Sequence, residues 1–215
     1  MPDHSHLSAQ HSADFTLNDW LAYIEALHPK DIEMGLGRVA EVSQRLNLSI
    51  HFPIVTVAGT NGKGSTCAML EHIYHAAGYR VGTYSSPHFL RYSERVRVAC
   101  QEITDVDLIA AFQAVEKARQ DTQLTYFEYG TLAAIWHFSK ASLDVLILEV
   151  GLGGRLDAVN VFEPSCSIVT SVDLDHMEFL GDTRESIAAE KAGVFRANKP
   201  AICGDQHTPQ SLIDY

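Results

Sequence analysis

Ile54-Val55-Thr56-Val57-Ala58-Gly59-Thr60-Asn61-Gly62-Lys63-Gly64-Ser65-Thr66 is the stretch whose reading decides the fold. Its first five residues are apolar or β-branched and read as a buried strand, Ile54–Ala58. A glycine-rich turn follows and opens a helix over Ser65–Ala77. Such a turn points backbone N–H groups into a common hollow that holds phosphate oxygens, and the helix N-terminus adds positive potential. Lys63 supplies a point charge for the outer phosphates, and a hydroxyl at Ser65 or Thr66 can approach Mg²⁺. The spelling departs from G-x-x-x-x-G-K-[ST]: Gly64 separates Lys63 from Ser65, and the leading glycine is absent. A ligand-free turn is the weaker reading, because Gly59, Gly62 and Gly64 together cost backbone entropy that a mere turn seldom requires. The loop implies a nucleoside triphosphate.

Outward from this loop the pattern alternates strand and helix. Before it, helical periodicity starts at Asn18, read as an N-cap, and runs through Trp20, Leu21, Ile24 and Leu27; a second amphipathic helix covers Leu36–Leu46. After it, Gly78 stops the loop helix, Arg80–Tyr84 is a strand, and Ser85–Tyr92 is irregular. Arg95–Val98 alternates like a half-exposed strand. Thr104 caps a helix to Arg119 with Asp107 placed as in a capping box, and Phe127–Lys140 reads as a buried helix. Leu143–Val150 and Cys166–Val172 are almost wholly apolar, as strands covered on both faces are. Thr183–Phe195 is helical and Pro200–Cys203 a short strand. Thr208-Pro209 reads as N-cap and first helical residue of a last helix. This is an α/β chain with a mainly parallel sheet flanked by crossover helices. Residues 1–14, polar and rich in His and Ser, are expected to form a disordered tail. Tyr215 falls where the last helix has only begun, so the expectation is a piece of a longer protein, truncated within its ATP-binding domain (15–215).

Hydrophobic residues make up 46% of the 215 and charged residues 20%, the composition of a globular chain. A formal net charge of -11 argues against nucleic acid or an anionic membrane as partner, so a nucleotide must be held by local features. No apolar run is long enough to span a membrane, and the N-terminus has no basic segment followed by an apolar one. Cys67, Cys100, Cys166 and Cys203 are scattered and form no C-x-x-C pair, which reads as reduced thiols in a cytoplasmic protein.

Further polar groups stand at the carboxyl ends of the other strands, the edge where open parallel sheets bind ligands. Glu149 ends Leu146-Ile147-Leu148-Glu149 and is placed to bind Mg²⁺. Gly151-Leu152-Gly153-Gly154-Arg155-Leu156-Asp157 follows, with glycines that permit close backbone approach and Asp157 to steer a hydrogen-bonding substrate. His176 stands beside a third strand end as a metal ligand or acid–base group. Ser86 is a metal ligand or a turn residue, and Lys191 on its helix acquires no role from position alone.

The stretches VAGTNGKGST, SSPHFLRYSERVRV, TYFEYGTLAAIWHF, LEVGLGGRLDAVN, TSVDLDHMEFLGDT and EKAGVFR, in that order from about Thr56 to Arg196, resemble the folate branch of the Mur ligase superfamily, the bacterial dihydrofolate synthase/folylpolyglutamate synthases. The glycine after the loop lysine is normal in that family. The resemblance implies a P-loop NTPase-like Mur ligase central domain and an ATP-dependent amide ligase that adds L-glutamate to dihydropteroate or folates through an acyl phosphate. It implies that Gly59, Thr60, Asn61, Gly62, Lys63, Gly64, Ser65 and Thr66 hold ATP. It implies that Ser86 and Glu149 bind one Mg²⁺, that Glu149 and His176 bind a second, and that Lys191 is carbamylated in support of the metal site. Thr125, Phe127, Asp157 and Ala158 match the dihydropteroate pocket, with Phe127 stacking on the pterin or packing in the core. Lys63, Glu149, His176 and Lys191 are thus the catalytic set. A C-terminal glutamate-ligase domain is absent from the chain, and the family implies a monomer. Two rival readings are a ligase for cell-wall precursors and a non-catalytic nucleotide-binding module.

Overall fold

The computed structural model describes residues 15–30 and 32–215. The tail expected over 1–14 lies outside the described residues. The order of elements is α1 (Leu17–Ala26), α2 (Gly37–Leu46), β1 (Ile54–Ala58), α3 (Lys63–Ala76), β2 (Val81–Tyr84), β3 (Val96–Val98), β4 (Gln101–Glu102), α4 (Asp105–Arg119), α5 (Tyr126–Phe138), β5 (Val145–Glu149), β6 (Cys166–Val169), α6 (Met177–Leu180), α7 (Arg184–Ala192), β7 (Ala201–Cys203) and α8 (Gln210–Asp214). Short 3₁₀ turns cover Tyr92–Arg95 and Ala158–Val161.

One seven-stranded sheet runs β4-β3-β2-β5-β1-β6-β7. The five strands from β2 to β7 are parallel, and β3 and β4 add an antiparallel edge. β1 is the switch point. From it the chain crosses to β2 on one side and later returns to β6 on the other, and a cleft opens at the carboxyl ends there. β5 lies between β1 and β2, with Ile54 opposite Leu146 and Val81 opposite Val145. That central position is why its sequence is a continuous apolar run. Its side chains still alternate. Leu146 and Leu148 join the large core under α1, α2, α4, α5 and α7, while Val145 and Ile147 join a smaller core with Val55, Val57 and Cys67 of α3.

Several boundaries differ from the sequence expectation. Thr16, not Asn18, caps α1: its hydroxyl accepts from the Asp19 N–H, and the Asp19 carboxylate accepts from the Thr16 N–H at 3.0 Å. Asn18 lacks such a partner because it already lies inside the first turn. Thr104 caps α4 as expected, but Asp107 takes the Thr104 hydroxyl proton (2.6 Å) instead of completing a capping box. Pro209 is itself the N-cap of α8, one residue later than expected. Helix α7 stops at Ala192, and β6 leaves the ladder after Val169 because the following residues turn to brace the loop after β1.

Candidate active site

Thr170 to Asp173 form that brace. The Thr60 N–H donates to the Ser171 carbonyl (2.8 Å), the Asn61 N–H to Ser171 Oγ (3.1 Å), and Thr170 Oγ1 donates to the Asn61 carbonyl (2.7 Å). Gly59 has φ +147°, and a Cβ there would lie 1.9 Å from Thr170 Oγ1, so only glycine fits. Gly62 has φ +84° and caps α3 with no side chain, leaving the first-turn N–H groups without a side-chain acceptor. Lys63 folds over its own loop, its Nζ donating to the carbonyls of Gly59 (2.9 Å) and Thr60 (3.2 Å).

A cavity of about 890 Å³ opens beside this loop at the carboxyl edge of the sheet. Thr60, Asn61, Gly62, Lys63, Gly64 and Ser65 line one end, and Thr125, Phe127, Asp157 and Ala158 the other. Ser86, Glu149 and His176 also line it. Of the residues expected at the site, Gly59, Thr66 and Lys191 stand behind the wall: Gly59 supports the turn, and the Thr66 N–H closes the first turn of α3 on the Gly62 carbonyl (2.9 Å).

Glu149 is almost wholly buried, and one carboxylate oxygen accepts from the Ser86 N–H at 3.0 Å. Burial raises its pKa above the usual carboxylate value, opposed by that N–H and by the charges of Lys63, Arg97 and Arg95. The other oxygen faces Gly64, where a Cβ would lie 3.7 Å away. A buried carboxylate facing the start of a phosphate-binding helix is a fit place for a divalent cation. Among the described residues no group of three or more His, Cys, Asp or Glu side chains is gathered to hold a metal. The donor set therefore suits Mg²⁺, which takes one or two carboxylates and completes its shell with phosphate oxygens and water. His176 is exposed, at φ +45°, and its Nε2 lies 3.6 Å from Asp175 Oδ1.

At the other end, Thr125 caps α5 through a full capping box with Glu128, whose carboxylate also receives Arg38 at 2.8 Å. Phe127 presses on Gly151, where a Cβ would meet its ring at 2.6 Å, and lies 6.0 Å from the Tyr84 ring. It therefore serves the core and the cavity wall at once. Asp157 is buried, and its carboxylate accepts from the N–H groups of Leu152 (2.8 Å) and Val159 (3.0 Å). Burial pushes its pKa up to about 6, against the N–H groups of Leu152, Val159 and Gly151 and the charge of Lys63. Lys191 is buried under the glycine loop, beside Glu190, whose carbonyl accepts from the Arg155 N–H (2.8 Å). Burial brings its pKa down to about 8, helped by Lys63 and opposed by Asp175.

Sequence reasoning missed the basic wall. Arg95 and Arg97 read as one half-exposed strand, yet Arg95 is buried in the 3₁₀ turn before β3 and lines the cavity. Arg97 reaches α3 and pairs with buried Glu71 at 2.8 Å. No local signal sets Arg95 apart, because one of the two rings beside it, Tyr126, comes from α5.

Among the described residues no helix is long and apolar enough to cross a membrane. The dihydrofolate synthase/folylpolyglutamate synthase of Escherichia coli (strain K12) is 56% identical over 199 residues, covering 92% of this chain and 47% of the relative. The structure of E. coli FolC in complex with DHPP and ADP superposes with a TM-score of 0.92 at 55% identity, covering 94% of this chain and 49% of that one. A bifunctional folylpolyglutamate synthase/dihydrofolate synthase from Yersinia pestis, complexed with AMPPNP and Mn ion, gives 0.89 at 54% identity, with 94% and 49% covered. The chain thus spans about half the length of the curated relatives it matches. The Mur ligase middle domain matches residues 57–208, from the end of β1 to the turn before α8. A parallel sheet switching at β1, a braced glycine loop ahead of Lys63 and a family match across both place this chain in the Mur ligase family, as a bearer of its middle domain.

Proposed function

We propose that this chain is the ATP- and pteroate-binding part of an amide ligase that joins L-glutamate to dihydropteroate or a folate. One observation carries the reading: a single cavity is lined by the phosphate loop, by Ser86 and Glu149, and by Thr125, Phe127 and Asp157. An acid seated with its ring at Asp157 directs its carboxylate toward the terminal phosphate held at Lys63. A carboxylate oxygen attacks the γ-phosphorus, the bond to the β-phosphate oxygen breaks, and ADP leaves with that electron pair. The glutamate amine then attacks the acyl carbon, phosphate departs, and the nitrogen loses a proton. Lys63 and the α3 N-terminus hold and neutralise the phosphates, and the walls fix the approach. Mg²⁺, held by Glu149 and Ser86 with His176 nearby, would offset phosphate charge.

The relatives run to about twice this length, and we assign the glutamate site and full turnover to that further half. Four cysteines without disulfides are consistent with a reducing, cytoplasmic setting. The relatives' names favour a folate over a cell-wall precursor as the acid. Lys191, buried and held down to about 8, is in the right state to take up CO₂ as a carbamate, since the neutral amine is the nucleophile. Native intact mass in bicarbonate tests it: the added mass of one CO₂ is expected on wild type and not on Lys191→Met, and a wild type without that addition rejects the carbamate.

The deciding experiment is calorimetric titration of 7,8-dihydropteroate into this chain holding a non-hydrolysable Mg·ATP analogue. Saturable binding that depends on the nucleotide is expected. A chain that is folded and binds the nucleotide yet ignores dihydropteroate defeats the proposal.

A further inference from the structure

Arg95 is a buried cation of the cavity that, among the described residues, no carboxylate neutralises. It is 9% exposed. Its Nε donates to His88 Nδ1 at 2.9 Å, and its guanidinium carbon lies 5.2 Å from the centre of the Tyr92 ring and 5.7 Å from that of Tyr126. A guanidinium only donates, so His88 Nδ1 carries no proton and fixes the plane from one side while the two rings hold its faces. The other inward arginines each face a glutamate: Arg38 meets Glu128, Arg97 meets Glu71, and Arg119 meets Glu116. Among the described residues Arg95 has no carboxylate within ion-pair distance. The Tyr84 hydroxyl, a neutral partner, feels its charge and takes a hydrogen bond from it, and Glu149 feels its charge without pairing with it. A desolvated guanidinium without a counter-ion is destabilising, and a ligand anion offsets that cost.

The chemistry of the cavity says which anion. Resting on the reading above, the acid's carboxylate must lie between the ring wall and the phosphate loop. Its neighbours there include two carboxylates, Glu149 and Asp157, which repel it. Lys63 is committed to the loop and its phosphates, and Arg97 is committed to Glu71. We infer that Arg95 anchors the substrate carboxylate, and so selects an acid over a neutral ligand of the same shape. The bidentate geometry of a guanidinium also presents that carboxylate with one fixed edge toward the phosphate.

The test compares 7,8-dihydropteroate with its primary carboxamide, both titrated into the full chain holding a non-hydrolysable Mg·ATP analogue, in wild type, Arg95→Gln and Arg95→Lys. Wild type is expected to bind the acid at least about tenfold more tightly than the amide. Arg95→Gln is expected to bind the two alike, with amide and nucleotide affinities within about twofold of wild type. Arg95→Lys, which keeps the charge but not the fork, is expected to fall between and serves alone if the glutamine variant does not fold. A preference undiminished in Arg95→Gln or in Arg95→Lys overturns the inference, and so does an equal loss of acid and amide, which marks a purely structural role. A loss of nucleotide affinity with the preference intact would assign Arg95 to a phosphate instead. A wild type that binds acid and amide equally overturns the anchor and leaves the ligase reading standing. A wild type that binds nucleotide and neither pterin overturns both.

Discussion

At the phosphate end of the cavity the shape is set by backbone. Gly59 and Gly62 turn the chain, Thr170 to Asp173 bind its amides and carbonyls, and α3 presents uncapped N–H groups. At the ring end the shape is set by side chains that meet from distant parts of the chain. Arg38 of α2 holds Glu128 of α5, Glu128 holds Thr125, and Phe127 lies on Gly151. The first construction is rigid at Gly59, where no Cβ fits. The second spreads over several elements, so it weakens by degrees.

Gly59→Ala strikes the first construction hardest. The new Cβ meets Thr170 Oγ1 and demands a φ that alanine avoids, so backbone strain and overpacking add to about 4 kcal/mol of lost stability. Urea unfolding is expected to show a lower midpoint with an unchanged slope. A stability near wild type would mean that the loop yields and that the contrast between the two ends is false.

Asp157 sharpens the contrast through pH. Its carboxyl is raised in the fold from 3.8 to about 6, so the native state holds the proton more tightly than the unfolded chain. Its contribution to stability is full below about pH 4 and is lost as pH rises through about 6. Two units at about 1.4 kcal/mol each make this roughly 3 kcal/mol. Asp157→Asn is expected to flatten the urea midpoint across that window. The slope that remains combines Glu149, which burial shifts in the same direction, with carboxylates such as Glu94 and Asp205, which hydrogen bonds shift in the opposite one. An unchanged slope in the variant would show that Asp157 titrates normally.

Arg38→Met tests how far the ring end leans on one ion pair. Glu128 is nearly buried while Arg38 keeps contact with solvent, so the unpaired carboxylate costs about 2 kcal/mol, below the range for a fully buried pair. Dihydropteroate affinity is expected to fall while nucleotide affinity holds. Equal losses for both ligands would mean that the ion pair holds up the whole domain and not one wall.

The same division explains what the sequence revealed. β1, the glycine loop and β5 follow from local pattern, because a switch-point strand and a central strand must be apolar and a phosphate loop must contain glycine. Glu149 was legible as a polar group at a strand end of a parallel sheet, and Asp157 as the acid of the glycine loop after it, with its pocket role drawn from the family resemblance. Arg95 was not, because nothing local separates an arginine held between Tyr92 and Tyr126 from one on a solvated strand. Tyr126 arrives from 31 positions further along the chain. Thr16 was passed over as a cap because Asn18 has the same capping chemistry, and only the Asp19 bond decides between them.

Gly64 brings the smallest effect and separates fold from function most cleanly. It lies in the first turn of α3 without a left-handed φ, and a Cβ there makes only ordinary contact with Glu149, at 3.7 Å. Alanine is therefore expected to raise stability by up to about 1 kcal/mol through helix propensity. If the space between α3 and Glu149 holds Mg²⁺ and phosphate, the same methyl narrows it and weakens nucleotide binding in Mg²⁺. A variant that is more stable and binds Mg·ATP as well as wild type would show that the glycine after the lysine is dispensable and that the metal lies elsewhere. A gain in stability together with a loss of metal-dependent affinity would place the cation between Gly64 and Glu149, with the glycine kept there for the room it leaves.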